Sequence, residues 1–293
     1  MASGARRGLM AWKRTQFSLL AVCAGTACAG TACAGDAAGN PLWEFGLGVG
    51  AIAFADYRGA DTAHVYPLPV PYFLYRGKVF KSDRDGMRGL FVQHPRLELN
   101  LSLDATTPVS SKNSDARKDM PSLKPTVEFG PSLDVHLWRS EDERLRIDFR
   151  LPVRKAFSIE AHPRSVGWFM APRINIDARD VAGHAGWDLG MFVAPLFADQ
   201  GYHDYFYTVA PAYATPTRPA YRASGGYAGT EMLLAVSKRF PACWVGAFAR
   251  YDTLSSAVFE DSPLVRSRGY WAAGLGIAWM IAKSNRQVAG DSD

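Results

Sequence analysis

Long segments of strictly alternating apolar and polar residues constrain this fold more than any other feature. The run LELNLSLD, from Leu97 to Asp104, has leucine at every second position and polar residues between them. Because successive side chains of a strand point to opposite faces, such a run has one apolar and one polar face. The same alternation recurs in residues 127–137, 145–154 and 168–178. The sequence therefore predicts an all-β fold.

The direction of the apolar face separates a soluble barrel from an outer-membrane barrel. In the first it points inward, and in the second it points to lipid. The segments run about 10 to 14 residues, the length of a tilted membrane-crossing strand, whereas strands of soluble sheets typically have about 5 to 6. Aromatic residues also gather near segment ends, as interfacial girdles do. These residues are Trp43, Tyr57, Trp138, Trp168, Trp187, Trp244, Tyr251, Trp271 and Trp279. Both observations favour the outer-membrane barrel.

Short and long connections alternate between the predicted strands, as in barrels with short periplasmic turns and longer outer loops. This alternation of connection lengths predicts a transmembrane antiparallel up-and-down β-barrel of about 10 strands with both termini periplasmic. The strand-like run YFYTV, residues 205–209 inside the longest connection, leaves 12 strands as the alternative. The ten predicted strands are residues 43–56, 65–83, 87–104, 126–138, 144–157, 166–179, 185–197, 228–239, 243–253 and 269–281.

The first and last predicted strands are both lined with glycine on one face. Gly46, Gly48 and Gly50 alternate with apolar residues in the first strand, and Gly274 and Gly276 do so in the last. We expect these two strands to pair and close the barrel where a crowded interior leaves little room.

The N-terminus has the pattern of an export signal. Basic residues at Arg6, Arg7, Lys13 and Arg14 precede an apolar stretch and a run of small residues. The sequence predicts a signal peptide over residues 1–34, cut before Gly35, and export to the cell outer membrane. A lipoprotein signal at Cys23 is the less favoured alternative, because Val22 is large for the position before a lipidated cysteine. We expect a short periplasmic segment over 35–42, the barrel over 43–281 and a polar tail over 282–293.

Composition excludes several function classes. The net charge of +5 includes the four basic residues of the signal, so the mature chain is close to neutral and nucleic-acid binding has no support. No metal-ligand spacing or cofactor motif is present, and no cofactor is predicted. Ser132, Asp134 and His136 share one strand face, but alternate residues are spaced about 6.6 to 7 Å apart along a strand, so a hydrolase is not favoured. We expect a protein that is not an enzyme.

Charged residues on the polar faces are the candidate interior groups. Arg146, Arg150 and Arg154 line one face of a strand and would select anions if the interior is open. We favour a closed interior in which they pair with carboxylates, since a ten-stranded barrel is only slightly wider than barrels that side chains fill. The candidate interior charges are Glu98, Glu128, Asp134, His136, Arg146, Asp148, Arg150, Arg173 and Asp177.

The sequence resembles the MltA-interacting protein family, MipA/OmpV, across residues 43–281. The segments that carry the resemblance are WEFGLGVGAIAFADYRGAD at 43–61, PYFLYRGKVF at 71–80, YFYTV at 205–209, RPAYRASGGY at 218–227 and RYDTLSSAVFEDSPLV at 250–265. The last two are the most specific. The sequence departs from the family pattern at its C-terminal end. Barrels of this kind usually end on an aromatic residue, whereas here a polar tail follows AWMI at 278–281.

The resemblance implies an outer-membrane barrel without catalytic residues. It also implies a scaffolding role that tethers a murein transglycosylase and a murein synthase, with a narrow porin-like channel for small solutes as the alternative. Its loop motifs supply further candidate residues, which shape either a binding surface or tight loop turns. They are Tyr221, Gly225, Gly226, Tyr227, Asp261, Ser262 and Pro263.

Overall fold

The protein folds into one large antiparallel sheet and a small strand pair. The computed structural model describes residues 40–76, 80–83, 86–94, 96–112 and 114–288, which belong to one compact unit, Ala34–Asp293. The strands are β1 (Asn40–Pro41), β2 (Trp43–Ala55), β3 (Ala63–Arg76), β4 (Phe80–Asp83), β5 (Gly86–His94), β6 (Leu97–Thr106), β7 (Thr126–Arg139), β8 (Leu145–Ser158), β9 (Ser165–Met170), β10 (Arg173–Arg179), β11 (Trp187–Ala198), β12 (Gly226–Arg239), β13 (Cys243–Thr253), β14 (Gly269–Lys283) and β15 (Gln287–Val288). One α-helix, α1, spans Gln200–Tyr207, and 3-10 turns lie at Asp115–Arg117, Val181–Gly183 and Pro211–Tyr213.

The large sheet closes on itself. Successive strands from β2 to β14 pair antiparallel, and β14 returns to pair with β2 through Gly276↔Gly50 and Ala278↔Gly48. The predicted pairing of the two glycine-lined strands is therefore confirmed. Contacts there are close: a Cβ added to Gly50 would lie 2.6 Å from the carbonyl oxygen of Leu275. The predicted transmembrane antiparallel up-and-down barrel is confirmed.

The described strands agree with twelve wall positions rather than ten. The large sheet contains 13 strands, of which β9 and β10 lie end to end and pair with the same neighbours, β8 and β11. Three predicted strands are divided in the structure. Residues 166–179 form β9 and β10 at one wall position, whereas residues 65–83 form β3 and β4, and residues 87–104 form β5 and β6, at two positions each. In the sequence, Gly77 and Pro95 lie at the last two of these divisions, outside the described residues, and both residue types interrupt strands.

The prediction of an extra strand at residues 205–209 is wrong. Tyr205, Phe206 and Tyr207 form the end of α1. Asp199 begins this helix, because its side chain accepts a hydrogen bond from the Tyr202 backbone N–H at 2.9 Å. Three consecutive aromatic residues are equally compatible with the period of a helix and the period of a strand. The pattern of apolar residues alone could therefore not identify a helix here.

Burial in the barrel wall is inverted relative to a soluble protein. On β14, the apolar residues Trp271 and Leu275 are 66% and 67% exposed, whereas Ala272 and Ala278 on the other face are buried. On β8 the inward residues Asp148 and Arg150 are buried, at 1% and 5% exposed. An apolar exposed outer face around a charged buried interior is the pattern of a barrel in lipid. None of the helices in the described part of the chain is long and apolar enough to cross a membrane.

The two ends of the barrel differ. The chain enters and leaves at the end that carries the short turns, where β1 pairs with β15 through Asn40↔Val288 and Pro41↔Gln287. The described residues therefore begin and end at the end with the short turns, in agreement with the prediction that both termini are periplasmic. The long connections, residues 56–62, 107–125, 199–225 and 254–268, meet at the other end, and we call their described residues the loop cap.

The loop cap is packed like the core of a soluble protein. Leu254, Phe259 and Leu264 are fully buried, and the rings of Tyr207 and Phe259 stack with centroids 3.7 Å apart. The hydroxyl of Tyr57 donates to the Leu264 carbonyl at 2.6 Å. Because these contacts join separate connections, the cap is a single ordered layer across the outer end.

Candidate functional site: the charged interior and the loop cap

One side of the barrel interior is lined by charged residues. Strands β6, β7, β8 and β10 turn their polar faces inward, and their register pairs Asp134 with Arg150 and Asp177 with Arg146. The alternation that predicts these inward faces also brings opposite charges opposite one another, and such cross-strand pairs stabilise a sheet.

The group nearest the periplasmic end has Asp148 at its centre. The Nε of Arg146 lies 2.8 Å from Asp148 Oδ2, and the Nδ1 of His136 lies 2.8 Å from Asp148 Oδ1. A second carboxylate, Asp177, lies 3.3 Å from the Arg146 guanidinium. Arg146 thus has two carboxylate neighbours, as a closed interior requires.

A second group lies in the middle of the wall. The guanidinium of Arg150 lies 3.5 Å from Asp134, which also accepts hydrogen bonds from Ser132 at 2.8 Å and Asn100 at 3.0 Å. The Asn100 amide also donates to Glu98 at 3.1 Å. This group therefore joins β6, β7 and β8 through one polar network.

A third group joins the interior to the loop cap. The guanidinium of Arg154 lies 3.2 Å from Glu128 and 3.1 Å from Asp104. The hydroxyl of Tyr202, on helix α1, donates to Glu128 at 2.7 Å. One carboxylate thus binds an arginine of the wall and a tyrosine of the cap.

Arg173 has a different environment from the other predicted charges. Its register partner on β8 is Arg150, a residue of the same sign. Its guanidinium lies over the ring of Phe192, 5.0 Å from the centroid, which is a cation–π geometry.

A cluster that the sequence did not single out lies under the cap. Asp252 is fully buried, with Arg58 Nε 2.9 Å from one carboxylate oxygen and Arg250 Nε 2.9 Å from the other. Arg58 also donates to the Ala228 carbonyl at 2.8 Å. Alternation places Arg250 and Asp252 on the inward face of β13, but nothing local identifies Arg58, which comes from a loop 194 residues away.

His203 is the buried titratable group of the cap. Its Nδ1 lies 2.6 Å from the Ser224 carbonyl, and its ring packs against Phe259 with centroids 4.6 Å apart. Burial lowers the pKa of His203, and the nearby positive charge of Arg58 lowers it further, against an opposing effect of the Ser224 hydrogen bond. Burial likewise raises the pKa of Tyr57 to about 12.

The first loop motif lies where the cap meets β12. Val209 and Tyr221 exchange backbone hydrogen bonds of 2.8 and 3.0 Å. A Cβ at Gly225 would lie 2.8 Å from the Gln200 backbone nitrogen, and Gly226 has φ +141°, which side chains rarely adopt. The Tyr227 hydroxyl lies 2.6 Å from the Thr230 hydroxyl.

The second loop motif, at 261–263, lies on the other long connection. Ser262 is buried and its hydroxyl donates to the Tyr207 carbonyl at 2.7 Å, while Asp261 is exposed and Pro263 half-buried. Arg218, which the sequence did not single out, donates to the carbonyls of Lys118 and Tyr213 at 2.7 and 2.8 Å. The contacts of both motifs hold loops together.

The serine, aspartate and histidine on β7 do not form a catalytic chain. Ser132 does reach Asp134, so the expectation that alternate side chains lie too far apart to bond is wrong for this pair. The Ser132 and Asp134 side chains lean towards each other along the strand, although the two residues are two positions apart. The His136 ring instead contacts Asp148 on β8. The described residues contain no group of three or more potential metal ligands.

A closed barrel with an apolar exterior, an ion-paired interior and long loops at one end defines an outer-membrane β-barrel protein. The family model described as "MltA-interacting protein MipA" matches residues 47–281. The chain therefore belongs to the MipA family.

Solved structures give weaker likenesses. The "Bacterial polysaccharide outer membrane secretin" has a TM-score of 0.40 at 8% identity, covering 82% of this chain and 99% of that chain. The outer membrane phospholipase A from Escherichia coli has a TM-score of 0.31 at 10% identity, covering 82% and 94%. The outer membrane channel DcaP of Acinetobacter baumannii has a TM-score of 0.28 at 9% identity, covering 85% and 99%. No curated protein matches the chain significantly.

Proposed function

We propose that this outer-membrane barrel is a scaffold that binds a murein transglycosylase, and a murein synthase with it, at its periplasmic end. The family description names an interaction with MltA. The protein works by holding its partners, and it carries no catalysis of its own. We also propose that residues 1–34, which lie outside the described residues, are removed on export, so that the mature chain begins at Gly35.

The observation that carries the proposal is the loop cap across the outer end, together with the ion pairs on the wall beneath it. The loop cap covers the outer end, and its Tyr202 hydroxyl is hydrogen-bonded to Glu128 of the wall. Beneath it, the arginines that would attract anions have carboxylate neighbours, as Arg146 and Arg154 illustrate. A pore needs a continuous water path, whereas a scaffold needs only a stable wall and an accessible rim.

The periplasmic end offers more ordered surface than its short turns alone. The Leu42 N–H donates to the Arg286 carbonyl at 2.8 Å, and the Ser284 N–H donates to the Trp43 carbonyl at 2.8 Å. These bonds continue into the β1–β15 pair, beyond the barrel wall. On the opposite side of the same end, the turn between β7 and β8 presents exposed acidic residues, Glu141 and Glu143.

The test is capture of the purified transglycosylase by the full-length protein in lipid nanodiscs. The rim variant Glu141→Lys/Glu143→Lys reverses two exposed charges at the periplasmic end and is expected to weaken binding at least fivefold. The matched control, Asp119→Lys/Asp261→Lys, reverses two exposed charges in the loop cap and is expected to change binding less than twofold. In each pair one residue has a positive φ, Glu143 or Asp119, so backbone strain is matched. Absence of binding by the wild-type protein would refute the scaffold role.

The narrow solute channel is the rival function and is tested on the same preparation. Stepwise conductance in planar bilayers that changes when Arg146 or Arg150 is replaced by methionine would support the channel. We expect no such steps, because the loop cap covers the outer end and the interior arginines Arg146, Arg150 and Arg154 have carboxylate neighbours.

A further inference from the structure

The barrel wall is interrupted on one side. β3 pairs with β2 along its whole length, but pairs with β4 only through Tyr75 and Arg76. β6 pairs with β7 along its whole length, but with β5 only from Leu97 to Asn100. In the described ranges, no strand pairs with the outer edge of residues 63–71 of β3 or 101–106 of β6. Because β4 has four residues, the β4–β5 hairpin closes only the periplasmic part of the wall. We call the opening above it the wall gap.

The sequence of β3 is suited to an unpaired edge. Pro67, Pro69 and Pro71 pair in register with Ala51, Val49 and Leu47 of β2. Residues of an antiparallel pair alternate between those that exchange hydrogen bonds and those that do not. Since proline has no N–H, the three prolines occupy non-bonded positions towards β2, and their backbone groups point into the wall gap. Prolines on a strand are found mainly at such edges and at bulges.

The inward side chains next to the wall gap are apolar and partly exposed. Val70 leans over the glycines of the closing strands, since Cβ atoms added to Gly50 and Gly276 would lie 2.8 and 3.1 Å from its Cγ2. Tyr66 and Leu68 lie on the same inward face, yet they are 41% and 43% exposed. Further along the interior, the rings of Tyr72 and Trp244 lie 6.0 Å apart. The charged groups of β6 to β10 line the opposite half. In the half next to the wall gap, which we call the apolar half, the charged pairs Glu44–Arg239 and Arg250–Asp252 lie towards the two ends of the barrel, and the part between them is apolar.

We propose that the wall gap is a lateral binding site for a single-chain lipid, whose acyl chain passes from the membrane into the apolar half of the interior. The outer apolar face of the barrel contacts lipid, and the gap joins that face to the inward side chains of Leu68 and Val70. A lipid chain can therefore reach these residues without crossing water. This lateral site is independent of the scaffold role.

The edge of β3 selects the head group of the lipid. At the three prolines the edge offers carbonyl oxygens and no N–H, so it accepts hydrogen bonds without donating any. In lipid, such carbonyls need a donor, because no water is present there to satisfy an unpaired backbone group. A head with free hydroxyl groups, such as the glycerol of a monoacylglycerol, supplies donors. A fatty-acid carboxylate supplies none and is repelled by the carbonyl oxygens.

The same edge disfavours a second protein chain as the occupant. Strand addition needs alternating donors and acceptors on the exposed edge. Residues 67, 69 and 71 give acceptors only, which removes half of the bonds that an added strand would make there. Prolines on edge strands oppose edge-to-edge association for this reason.

The test uses the full-length protein in nanodiscs and a monopalmitoylglycerol that carries a photoreactive diazirine in mid-chain. We expect adducts on the inward residues Leu68 and Phe248, mapped by mass spectrometry, in addition to the lipid-facing surface. Val70→Trp fills the space over the glycines and is expected to lower inward labelling at least fivefold. Val49→Trp places the same side chain on the outward face of the adjacent strand and is expected to change inward labelling less than twofold.

Retention of the heat-dependent shift in gel mobility establishes that Val70→Trp is folded, and Leu68→Trp replaces it if the shift is lost. Unlabelled monopalmitoylglycerol is expected to compete at least tenfold better than palmitate. Adducts confined to outward residues such as Val49 and Leu275 would overturn the proposal. Equal competition by palmitate would overturn the assignment of a hydroxyl-bearing head group.

Discussion

Replacing Asp148 with asparagine removes one negative charge from the barrel interior with almost no change in side-chain volume. Asp148 is 1% exposed. Arg146 Nε and His136 Nδ1 each lie 2.8 Å from one of its carboxylate oxygens. Removing one partner of a buried ion pair costs about 3–5 kcal/mol. Arg146 keeps Asp177 at 3.3 Å and is itself partly exposed, which lowers the cost. We expect Asp148→Asn to destabilise the barrel by about 3 kcal/mol, somewhat more than a hundredfold in the unfolding equilibrium.

The matched control is Asp177→Asn, which removes the other carboxylate next to Arg146. The Asp177 side chain is 35% exposed, so water compensates for much of the lost interaction. Its cost is expected to be about 1 kcal/mol or less. The two variants remove the same charge from the same arginine. They differ in burial and in the His136 contact of Asp148, which Asp148→Asn can keep as a hydrogen bond to the amide.

Reversible urea unfolding of the mature protein in lipid vesicles measures both costs, with folded and unfolded forms separated by gel mobility. Combining Asp148→Asn with Arg146→Met in a double-mutant cycle isolates the energy of that pair. Equal costs for Asp148→Asn and Asp177→Asn would refute the reasoning, since burial would then not decide the strength of these interactions.

Three further outcomes are expected. His203 has a lowered pKa, so the folded cap binds fewer protons than the unfolded chain; its stability should fall as the pH drops below about 6.5 and level off below the folded pKa. Hydrogen exchange of cap amides should show this step, which His203→Phe abolishes and the exposed-loop control His162→Phe leaves in place. Replacing Pro67, Pro69 and Pro71 with valine restores three N–H donors to the open edge, and chemical cross-linking should then detect dimers; an unchanged monomer would contradict the role given to the prolines. Asp199→Ala removes the cap of α1 and should destabilise the loop cap by about 1 kcal/mol, with faster proteolysis within 199–225; Asp204→Ala tests whether any acidic residue of that helix has the same effect.

Sequence patterns predicted most of the wall because they depend on local physics. β7, β8 and β11 to β14 lie within about two residues of the predicted strands, since alternation and turn residues fix both a strand and its ends. Alternation also identified which charges face inward. It could not pair them, because register sets whether Asp134 meets Arg150 or a neighbour.

The loop cap could not be predicted in the same way. Helix α1 has eight residues and a run of aromatics that fits either period. Arg58 and Asp252 are joined across 194 residues, and Arg218 donates to a carbonyl 102 residues away. Such contacts follow from the closure of the barrel, which brings all the long loops to one end. Periodicity carries no information about them.

The wall gap shows that the local chemistry of a strand carries more than its apolar pattern. The predicted strand 65–83 alternates well enough to count as a wall strand, and its prolines at 67, 69 and 71 keep that period. A strand that lacks every second N–H over this stretch can bond fully on one side only. Single prolines do occur between two paired neighbours in this barrel, at Pro131 of β7 and Pro152 of β8, but three at alternate positions favour an open edge. Because the prolines leave carbonyl groups without N–H groups on that edge, its occupant must supply hydrogen-bond donors. The same three residues thus account for the position of the opening and for the chemistry of the group that can occupy it.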